Sequence, residues 1–234
     1  MIHELVWDTR FFGRKIGEMR NVSSDEEVKK SLVQAIREHF RYLMCRVSAH
    51  EIRAVQILEN QGFYLTDVGV TLGKRVDLVD LSEKAQSSAK EGTIEDVGTL
   101  KTIAAGLFKC GRFYQDHFFT REEADRVYQA WAENSVKGFA DKVFLIGEKG
   151  FITCRASGDT GDIPLVGVAA PYQGKGVGTA LVRNALMWFH KSGVRTVTVR
   201  TQAGNDHAIN FYERLGFRVK TVDLTLSTVL PRDS

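Results

Sequence analysis

The chain has few cysteines, few prolines and no long hydrophobic run. Its 234 residues include three cysteines and three prolines. Cys45, Cys110 and Cys154 are odd in number, lie far apart and form no CxxC pair. We therefore expect neither a disulfide framework nor a metal site, and a reducing, cytoplasmic setting fits best. Because low-complexity tracts are also absent, we expect little of the chain to be disordered.

Apolar segments of membrane length are missing as well. No run approaches the roughly 20 apolar residues that a membrane helix needs, so we expect no membrane span. The N-terminal residues, Met-Ile-His-Glu-Leu-Val-Trp-Asp, carry an early acid and no apolar stretch, so we expect no signal peptide. Lysine and arginine number 32 against 29 aspartate and glutamate residues, a net charge of +3. This small, evenly distributed excess argues against nucleic-acid binding.

Hydrophobic periodicity divides the chain into two α/β segments joined by a polar stretch. Ser24 and Glu27 form a capping box that opens the first long helix. Residues 73–92 are polar and aperiodic, as in a linker. We therefore assign an N-terminal domain to residues 1–76, a linker to 77–92 and a second domain to 93–234. The elements predicted in the first segment are a strand over 15–22, a helix opening at 24, a strand over 42–48, a helix over 50–60 and a strand over 63–72.

The second segment predicts a mixed α/β domain. Three strands with short turns between them read as an antiparallel meander, and a strand–helix–strand–helix–strand run surrounds a glycine-rich turn. The predicted helices cover residues 95–110, 121–137, 179–191 and 205–215. The predicted strands cover residues 143–147, 151–156, 163–169, 194–200 and 217–226.

The chain also matches itself at an offset of 154 residues. The matching positions include Arg46 with Arg200, Ala54 with Ala208, and Gly62-Phe63 with Gly216-Phe217. Two interpretations stay open: strand–helix–Gly–strand units resemble each other because they share a helix cap, or the first segment is a degenerate copy of the second. The first copy has no glycine-rich turn and carries Leu58 where the second carries Tyr212.

The glycine-rich turn spans residues 173–179 between an apolar strand and a helix. Glycines leave backbone N–H groups open to an oxyanion, and the helix N-terminus adds partial positive charge, so the turn suits a phosphate or pyrophosphate. A Rossmann dinucleotide turn is disfavoured because Thr179 stands where its third glycine belongs. A Walker A loop is disfavoured because its Gly-Lys-Ser/Thr triplet is absent.

Residues 173–178, Gln-Gly-Lys-Gly-Val-Gly, match the Q/R-x-x-G-x-G/A signature of the GNAT family of N-acetyltransferases. Downstream, Asn205, Ala208, Tyr212 and Gly216-Phe217 resemble the family's N-x-x-A-x-x-x-Y-x-x-x-G-F stretch. The resemblance covers about residues 90–227. It implies a GNAT fold, a mixed α/β domain with a central mixed sheet whose strands splay apart, flanked by helices. A smaller, partial GNAT-like α/β domain would precede it.

The resemblance implies acetyl-CoA as the acetyl donor, and it implies these contacts. Main-chain groups of Val166 and Val168 would hold the pantetheine arm. Tyr212 would be the general acid, because a phenol with a pKa near 10 keeps its proton at neutral pH and can give it to a thiolate. The remaining residues implied to bind the donor are Gln173, Gly174, Lys175, Gly176, Val177, Gly178, Thr179 and Asn205.

A second stretch resembles one branch of the family, which acetylates nucleotide-linked amino sugars. It begins at Gly111 and includes Arg112, Phe113 and Asp116. Arg112 would grip a diphosphate through its bidentate guanidinium, and Phe113 would stack on a base or sugar. Asp116 and His117 would line the acceptor site, and either is a candidate base.

The expected function is direct acetyl transfer to a primary amine of a small molecule, without a metal. Two alternatives remain open. The acceptor of a GNAT enzyme can instead be a protein or another small amine, and the chain can be a non-catalytic acyl-CoA-binding module. The residues leave the oligomeric state open, including a homodimer.

Overall fold

The computed structural model describes residues 1–76 and 89–231 as a mixed α/β structure. Residues 77–88, most of the predicted linker, lie outside the described part. The strands are β1 (Ile2–Glu4), β2 (Ile16–Met19), β3 (Tyr42–Ser48), β4 (Tyr64–Arg75), β5 (Lys90–Glu91), β6 (Lys142–Ile146), β7 (Gly150–Ser157), β8 (Thr160–Ile163), β9 (Val166–Val168), β10 (Thr196–Gln202) and β11 (Arg218–Val229). The helices are α1 (Val6–Phe12), α2 (Asp25–Arg37), α3 (Ile52–Asn60), α4 (Val97–Ala104), α5 (Arg112–Gln115), α6 (Arg121–Asn134), α7 (Val177–Lys191) and α8 (Asp206–Arg214).

The strands form one mixed sheet. Their order is β1-β2-β3-β11-β4-β10-β8-β7-β6-β5, and β9 lies beside β7. Two pairs are parallel, β2 with β3 and β8 with β10, and the neighbouring pairs are antiparallel. The predicted meander is present as β6, β7 and the segment that contains β8 and β9. The predicted mixed α/β class is therefore confirmed.

One predicted strand is divided in two. The expected strand over 163–169 is split into β8 and β9 by Pro164 and Leu165. Pro164 has no N–H to donate to a neighbouring strand. The N–H of Leu165 donates instead to the Thr153 side-chain oxygen at 3.0 Å. After this interruption, β9 no longer continues the pairing of β8 with β10.

The N-terminal apolar patch and the helix before β6 also differ from expectation. Residues 6–12 form α1, which buries Phe12. The helix predicted over 121–137 ends at Asn134 and continues as a π-turn over 135–139, where Gly138 takes a φ of 104°. A capping box of Thr120 and Glu123 begins that helix.

The two segments that match in sequence at this offset also match in structure, and we call them the first and second copies. Shifted by 154 residues, the bounds of β3, α3 and β4 coincide with those of β10, α8 and β11. The parallel pairs also correspond. β2 pairs with residues 42–45 of β3, and β8 pairs with residues 196–199 of β10, which are the same positions at the 154-residue offset. β1 and β2 thus take the places of β7 and β8, and α2 takes the place of α7. The first copy has no counterpart of β9 or of the glycine-rich turn.

The copies exchange their last strands. β11 lies between β3 and β4, and β4 lies between β11 and β10. Gly69 pairs with Asp223, its own counterpart at the 154-residue offset, so this pair marks a pseudo-twofold axis through the sheet. The predicted domains are consecutive in sequence, but their strands interleave in one sheet.

Helices cover both faces of the sheet. On the first face, α2 and α3 pack against β3 while α7 and α8 pack against β4 and β10, with Leu58 and Phe217 fully buried. On the second face, α1, α4, α5 and α6 surround an aromatic core that includes Phe113 and Phe151. Within the described residues, no helix combines the length and apolar character that crossing a membrane requires.

Candidate active site

A gap opens in the sheet between β9 and β10. β8 pairs with β10 as far as Ile163 opposite Val199. Beyond Pro164 the chain continues as β9, and among the described strands only β7 pairs with it. The strands therefore diverge after Val199, leaving one edge of β9 facing a gap.

The main chain of β9 presents hydrogen-bonding groups to this gap. Leu165 O accepts from Thr153 N at 3.0 Å, and Ala169 N donates to Lys149 O at 2.9 Å, so these residues bond toward β7. The backbone N–H and C=O groups of successive residues point to opposite edges of a strand. Val166 and Val168 therefore direct their N–H and C=O groups into the gap. Their side chains pack toward α7 and α8 on the first face. The edge can accept an extended ligand as a further strand would pair.

The glycine-rich turn lies at the end of this edge. Gly174 and Gly176 have φ of 71° and 80°, conformations that side chains disfavour, and a Cβ on either would meet nothing within 4 Å. The Gln173 side-chain amide donates to Val168 O at 3.0 Å, which ties the turn to β9. Lys175 lies 6.0 Å from the Tyr172 ring centre.

The N-terminus of α7 is open. Gly176 provides no side-chain cap, and the first turn, which includes Val177, Gly178 and Thr179, contains no acid. Gly178 packs tightly, since a Cβ there would lie 3.2 Å from the Phe211 ring. The exposed N–H groups and the helix dipole give α7 an anion-binding end.

The equivalent end of α2 is closed. Its Ser24 side chain accepts from Glu27 N at 3.3 Å. Asp25, Glu26 and Glu27 place three acids in the first turn, where they would repel an anion. Only the second copy therefore keeps the anion-binding end.

Tyr212 lies on α8, on the first face of the sheet. It is 5% exposed and contacts the rings of Phe211 and Phe217. Burial raises the pKa of its phenol, and the charge of Asp162 raises the pKa further. Asn205 begins the same helix, with its side-chain oxygen accepting from Ala208 N at 3.2 Å. Its amide donates to the Thr201 hydroxyl at 3.3 Å, on β10 beyond the point of divergence.

Asp162 lies at the apex of the gap, on the second face. In the sheet it lies opposite Thr198 of β10 and opposite Arg155 of β7. The Thr198 hydroxyl lies 3.5 Å from the Asp162 carboxyl. Burial raises the pKa of this carboxyl, and the positive charge of Arg155 opposes that rise. Tyr212 is buried in the core that also contains Val166, Val168 and Val199, which border the gap on the first face, whereas Asp162 lies on the second face. Sequence reasoning missed Asp162, because one acid in a strand carries no motif.

The four residues predicted to contact the acceptor have different surroundings. Phe113 is 1% exposed and packs against Phe119 and Trp131. Asp116, 2% exposed, accepts hydrogen bonds from the Tyr42 hydroxyl at 2.5 Å and from the Tyr64 hydroxyl at 3.0 Å.

His117 is largely exposed and lies against the Tyr64 ring at 4.8 Å. The Arg112 guanidinium donates to Met44 Sδ at 3.0 Å and pairs with Asp8 at 3.7 Å. The structure brings Arg112 to the second face, where Asp162 also lies. Phe113 and Asp116 lie inside the loop that carries Arg112.

Three arginines converge on this second face. Arg200 makes two hydrogen bonds to Asp223, at 2.6 and 3.0 Å, and one to Asp67 at 3.0 Å. It crosses β4 at Gly69, where a Cβ would lie 1.9 Å from the guanidinium. Arg46, its counterpart at the 154-residue offset, lies 3.3 Å from the same Asp223.

The third arginine of this cluster is Arg112. Arg46 and Arg200 share Asp223, and Arg112 donates to Met44, two residues before Arg46 on β3, so the three guanidinium groups lie in one region. Burial and the positive charges of Arg200 and Arg112 lower the pKa of Arg46. The sequence repeat already places Arg46 and Arg200 at equivalent positions. The strand exchange that brings them together is not visible in a sequence.

The sequence profile of the Acetyltransferase (GNAT) family matches residues 100–217, half of the chain. The chain belongs to this family. The predicted GNAT fold and the assignment as an N-acetyltransferase are therefore confirmed. Members of the GNAT family use acetyl-CoA as the acetyl donor.

Three similar proteins add detail to the GNAT assignment. The chain is 28% identical over 232 residues to a dTDP-fucosamine acetyltransferase of Escherichia coli O6:H1, covering 94% of each chain. It is 23% identical to the spore coat polysaccharide biosynthesis protein SpsD of Bacillus subtilis, covering 93% of this chain and 78% of that protein. The solved structure of a tandem GNAT protein from the clavulanic acid biosynthesis pathway has a TM-score of 0.61 and 14% identity, covering 87% of this chain and 69% of that one. The similarity to the tandem GNAT structure is a similarity of fold.

A cavity of about 640 Å³ opens on the second face of the acetyltransferase. It lies between the N-terminal residues 4–8 and the C-terminal end of α6, and Pro164 and Leu165 form part of its wall. Its size is typical of a small-molecule site. Asp8, the partner of Arg112, also lines it, so the cavity adjoins the arginine cluster.

Proposed function

We propose that this chain transfers the acetyl group of acetyl-CoA to a primary amine on a nucleotide-linked amino sugar. The observation that carries the proposal is the gap between β9 and β10, with hydrogen-bonding groups on one edge and Tyr212 and Asp162 on opposite faces. The acceptor class is supported by the two curated relatives, whose names refer to a nucleotide sugar and to a polysaccharide. Arg112, whose carboxylate partner Asp8 lies at 3.7 Å, offers a guanidinium to a phosphate group, whereas Arg46 and Arg200 are held more closely by Asp223 and Asp67.

The residues present fit acetyl-CoA. The open N-terminus of α7 and the positive-φ glycines offer amides to the pyrophosphate, and Lys175 adds a positive charge. Val166 and Val168 would pair with the amide groups of the pantetheine arm along β9. Asn205 would reach the same arm from the start of α8.

Acetyl-CoA, when bound, would supply the activated acetyl thioester. A β9 amide at the apex of the gap would donate to the acetyl oxygen and stabilise the negative charge that develops on it. Asp162 accepts the proton of the attacking amine, because a carboxyl with a raised pKa is a better base than an ordinary one. Tyr212 keeps its proton at neutral pH and gives it to the departing thiolate.

The acceptor side is formed by the loop around α5. Arg112 would contact a phosphate of the acceptor, and His117 would lie at the mouth of the site. Phe113 and Asp116 would act indirectly, because the buried Phe113 ring and the Asp116 hydrogen bonds hold the loop in place.

A thiol-release screen tests this proposal. The purified chain and acetyl-CoA are incubated separately with thymidine- and uridine-linked amino sugars, polyamines and peptides. Turnover with an amino-sugar nucleotide is the expected result. Turnover confined to peptides or polyamines would overturn the acceptor class. Acetyl-CoA binding without turnover on any amine would identify a non-catalytic binding module.

A further inference from the structure

The cavity on the second face is not accounted for by any motif in the sequence. Its apolar lining consists of Leu5, Val6, Trp7, Trp131, Phe139, Pro164 and Leu165. Its polar lining consists of Glu4, Asp8, Ser135 and Arg155. Each set combines residues from positions 4–8 with residues from positions 131–165, so the cavity forms where the N-terminal segment meets the second domain.

The cavity is bordered by the two residues that precede β9. Pro164 and Leu165 separate β8 from β9, and the main chain turns toward the gap at that point. Arg155, also in the lining, is the strand partner of Asp162. A ligand in the cavity could therefore present an amine to the apex of the gap from the second face.

One wall of the cavity is aromatic and rigid. Trp7 and Trp131 are both half-buried, with ring centres 6.2 Å apart. Trp7 stacks on Phe11 at 4.8 Å, and Trp131 meets the edges of Phe113 and Tyr128 at 5.7 and 5.3 Å. Fixed indole faces bind the C–H surface of a sugar ring with little loss of side-chain entropy.

The charged side of the cavity leads to the arginine cluster. Asp8 lines the cavity and pairs with Arg112, which also donates to Met44, two residues before Arg46 on β3. The Arg112 guanidinium therefore lies behind Asp8, on the side toward which the phosphates of a sugar nucleotide would extend. Glu4 and Asp8 in the lining can accept hydrogen bonds from the amine and hydroxyl groups of the sugar.

We propose that this cavity holds the amine-bearing pyranose ring of the acceptor, with Trp7 and Trp131 against the ring and Arg112 toward its phosphates. This inference rests on the proposed function, and it assigns the ring-binding role to residues outside the GNAT signature. Trp7 belongs to the first copy, so that copy would supply part of the substrate site.

The chain has three tryptophans, which makes a binding test direct. Trp188 lies on α7, on the first face, and serves as the control. In Trp188→Phe, where both cavity tryptophans remain, adding a thymidine-linked amino sugar should change the tryptophan fluorescence. In the double variant Trp7→Phe/Trp131→Phe, the same ligand should leave the fluorescence of Trp188 unchanged.

Calorimetry separates the two substrates. Trp7→Ala and Trp131→Ala should each weaken binding of the amino-sugar nucleotide by about tenfold, as loss of a stacked aromatic contact predicts. Both variants should bind acetyl-CoA as the wild type does, which also shows that they are folded. Trp188→Phe should bind both ligands normally.

The outcomes distinguish the two proposals. If the wild type acetylates the amino-sugar nucleotide but the Trp7 and Trp131 variants bind it normally, the cavity assignment is wrong and the proposed function stands. If the wild type neither binds nor acetylates any amino-sugar nucleotide, the acceptor class is wrong, and the cavity assignment fails with it.

Discussion

At the scale of single residues, the proposed transfer uses two proton-carrying groups, one on each face of the sheet. Both Tyr212 and Asp162 have a raised pKa, and burial is the main cause in each case. The same physical effect suits them to opposite tasks. A phenol with a raised pKa stays protonated and can act as an acid, whereas a carboxyl with a raised pKa is a stronger base.

Tyr212→Phe tests the acid. Removing the hydroxyl should lower kcat by about 100-fold, in the range lost when a general acid is removed, while acetyl-CoA affinity stays unchanged. Steady-state kinetics and calorimetry measure the two quantities. An unchanged kcat in Tyr212→Phe would refute the assignment.

The pH dependence of kcat in Asp162→Asn tests the role of Asp162 as the general base. The wild-type kcat should rise with pH through the pKa of Asp162, which lies above its ordinary value of 3.8, because only the carboxylate accepts a proton. The variant should lose that rise and about 100-fold in kcat. Glu18→Gln is the control, since Glu18 takes the place of Asp162 in the first copy and pairs with Met44 as Asp162 does with Thr198.

The same variant has a predicted effect on stability. A carboxyl whose pKa is raised on folding favours the folded state at low pH, and this contribution is lost as pH rises through the folded pKa. At neutral pH the folded chain therefore carries the cost of a half-buried carboxylate. Thermal unfolding at pH 7 should show Asp162→Asn to be no less stable than the wild type. A clearly lower Tm would mean that contacts of the carboxylate outweigh its burial.

At the scale of elements, two equivalent helices differ in their first turn. α7 begins at Gly176 without a side-chain cap or an acid, whereas α2 begins at Ser24 with a cap and three acids. The difference explains in physical terms why one copy can hold a pyrophosphate and the other cannot.

Paired variants test this difference. Gly176→Ala places a side chain at a φ of 80°, and the shifted loop should weaken acetyl-CoA binding by about tenfold or more, as loss of a hydrogen bond to a charged group predicts. Ser24→Ala should cost about 1 kcal/mol of stability and leave acetyl-CoA affinity unchanged. Calorimetry and urea unfolding measure both. Equal acetyl-CoA affinity in the two variants would contradict the role of α7.

Much of the element pattern was predictable, since it depends on local signals. The capping residue Ser24, the glycine at position 216 and alternating apolar residues predict elements whose bounds lie close to those observed. The α1 helix was not predictable from its short apolar patch. The position of the acceptor loop was predicted, but the roles of its side chains were not. The sequence around Phe113 does not distinguish an aromatic ring in the core from one that stacks on a ligand.

At the scale of the whole molecule, the strand exchange is the feature that a sequence does not reveal. The 154-residue offset shows two copies, but nothing in it shows that β11 pairs with β3 and β4. Such pairing depends on contacts between residues 145 or more positions apart. It also assembles Arg46, Arg200 and Asp223 into one cluster.

Separating the copies tests this arrangement. A chain of residues 93–234 alone leaves β11 without both of its neighbours and β10 without β4. We expect this fragment to lack a cooperative unfolding transition, because a strand with neither partner leaves its backbone groups unpaired. Circular dichroism during heating measures the transition. A fragment as stable as the full chain would show that the exchanged strands contribute little.

The proposed reaction is direct transfer of an acetyl group to an amino-sugar nucleotide in the gap between β9 and β10. Mass spectrometry of the acceptor after incubation with the full chain and acetyl-CoA tests it most directly. We predict that the amino-sugar nucleotide gains one acetyl group for each thiol released, and that Tyr212→Phe slows both equally. Thiol release without acetylation of the nucleotide sugar would contradict the claim.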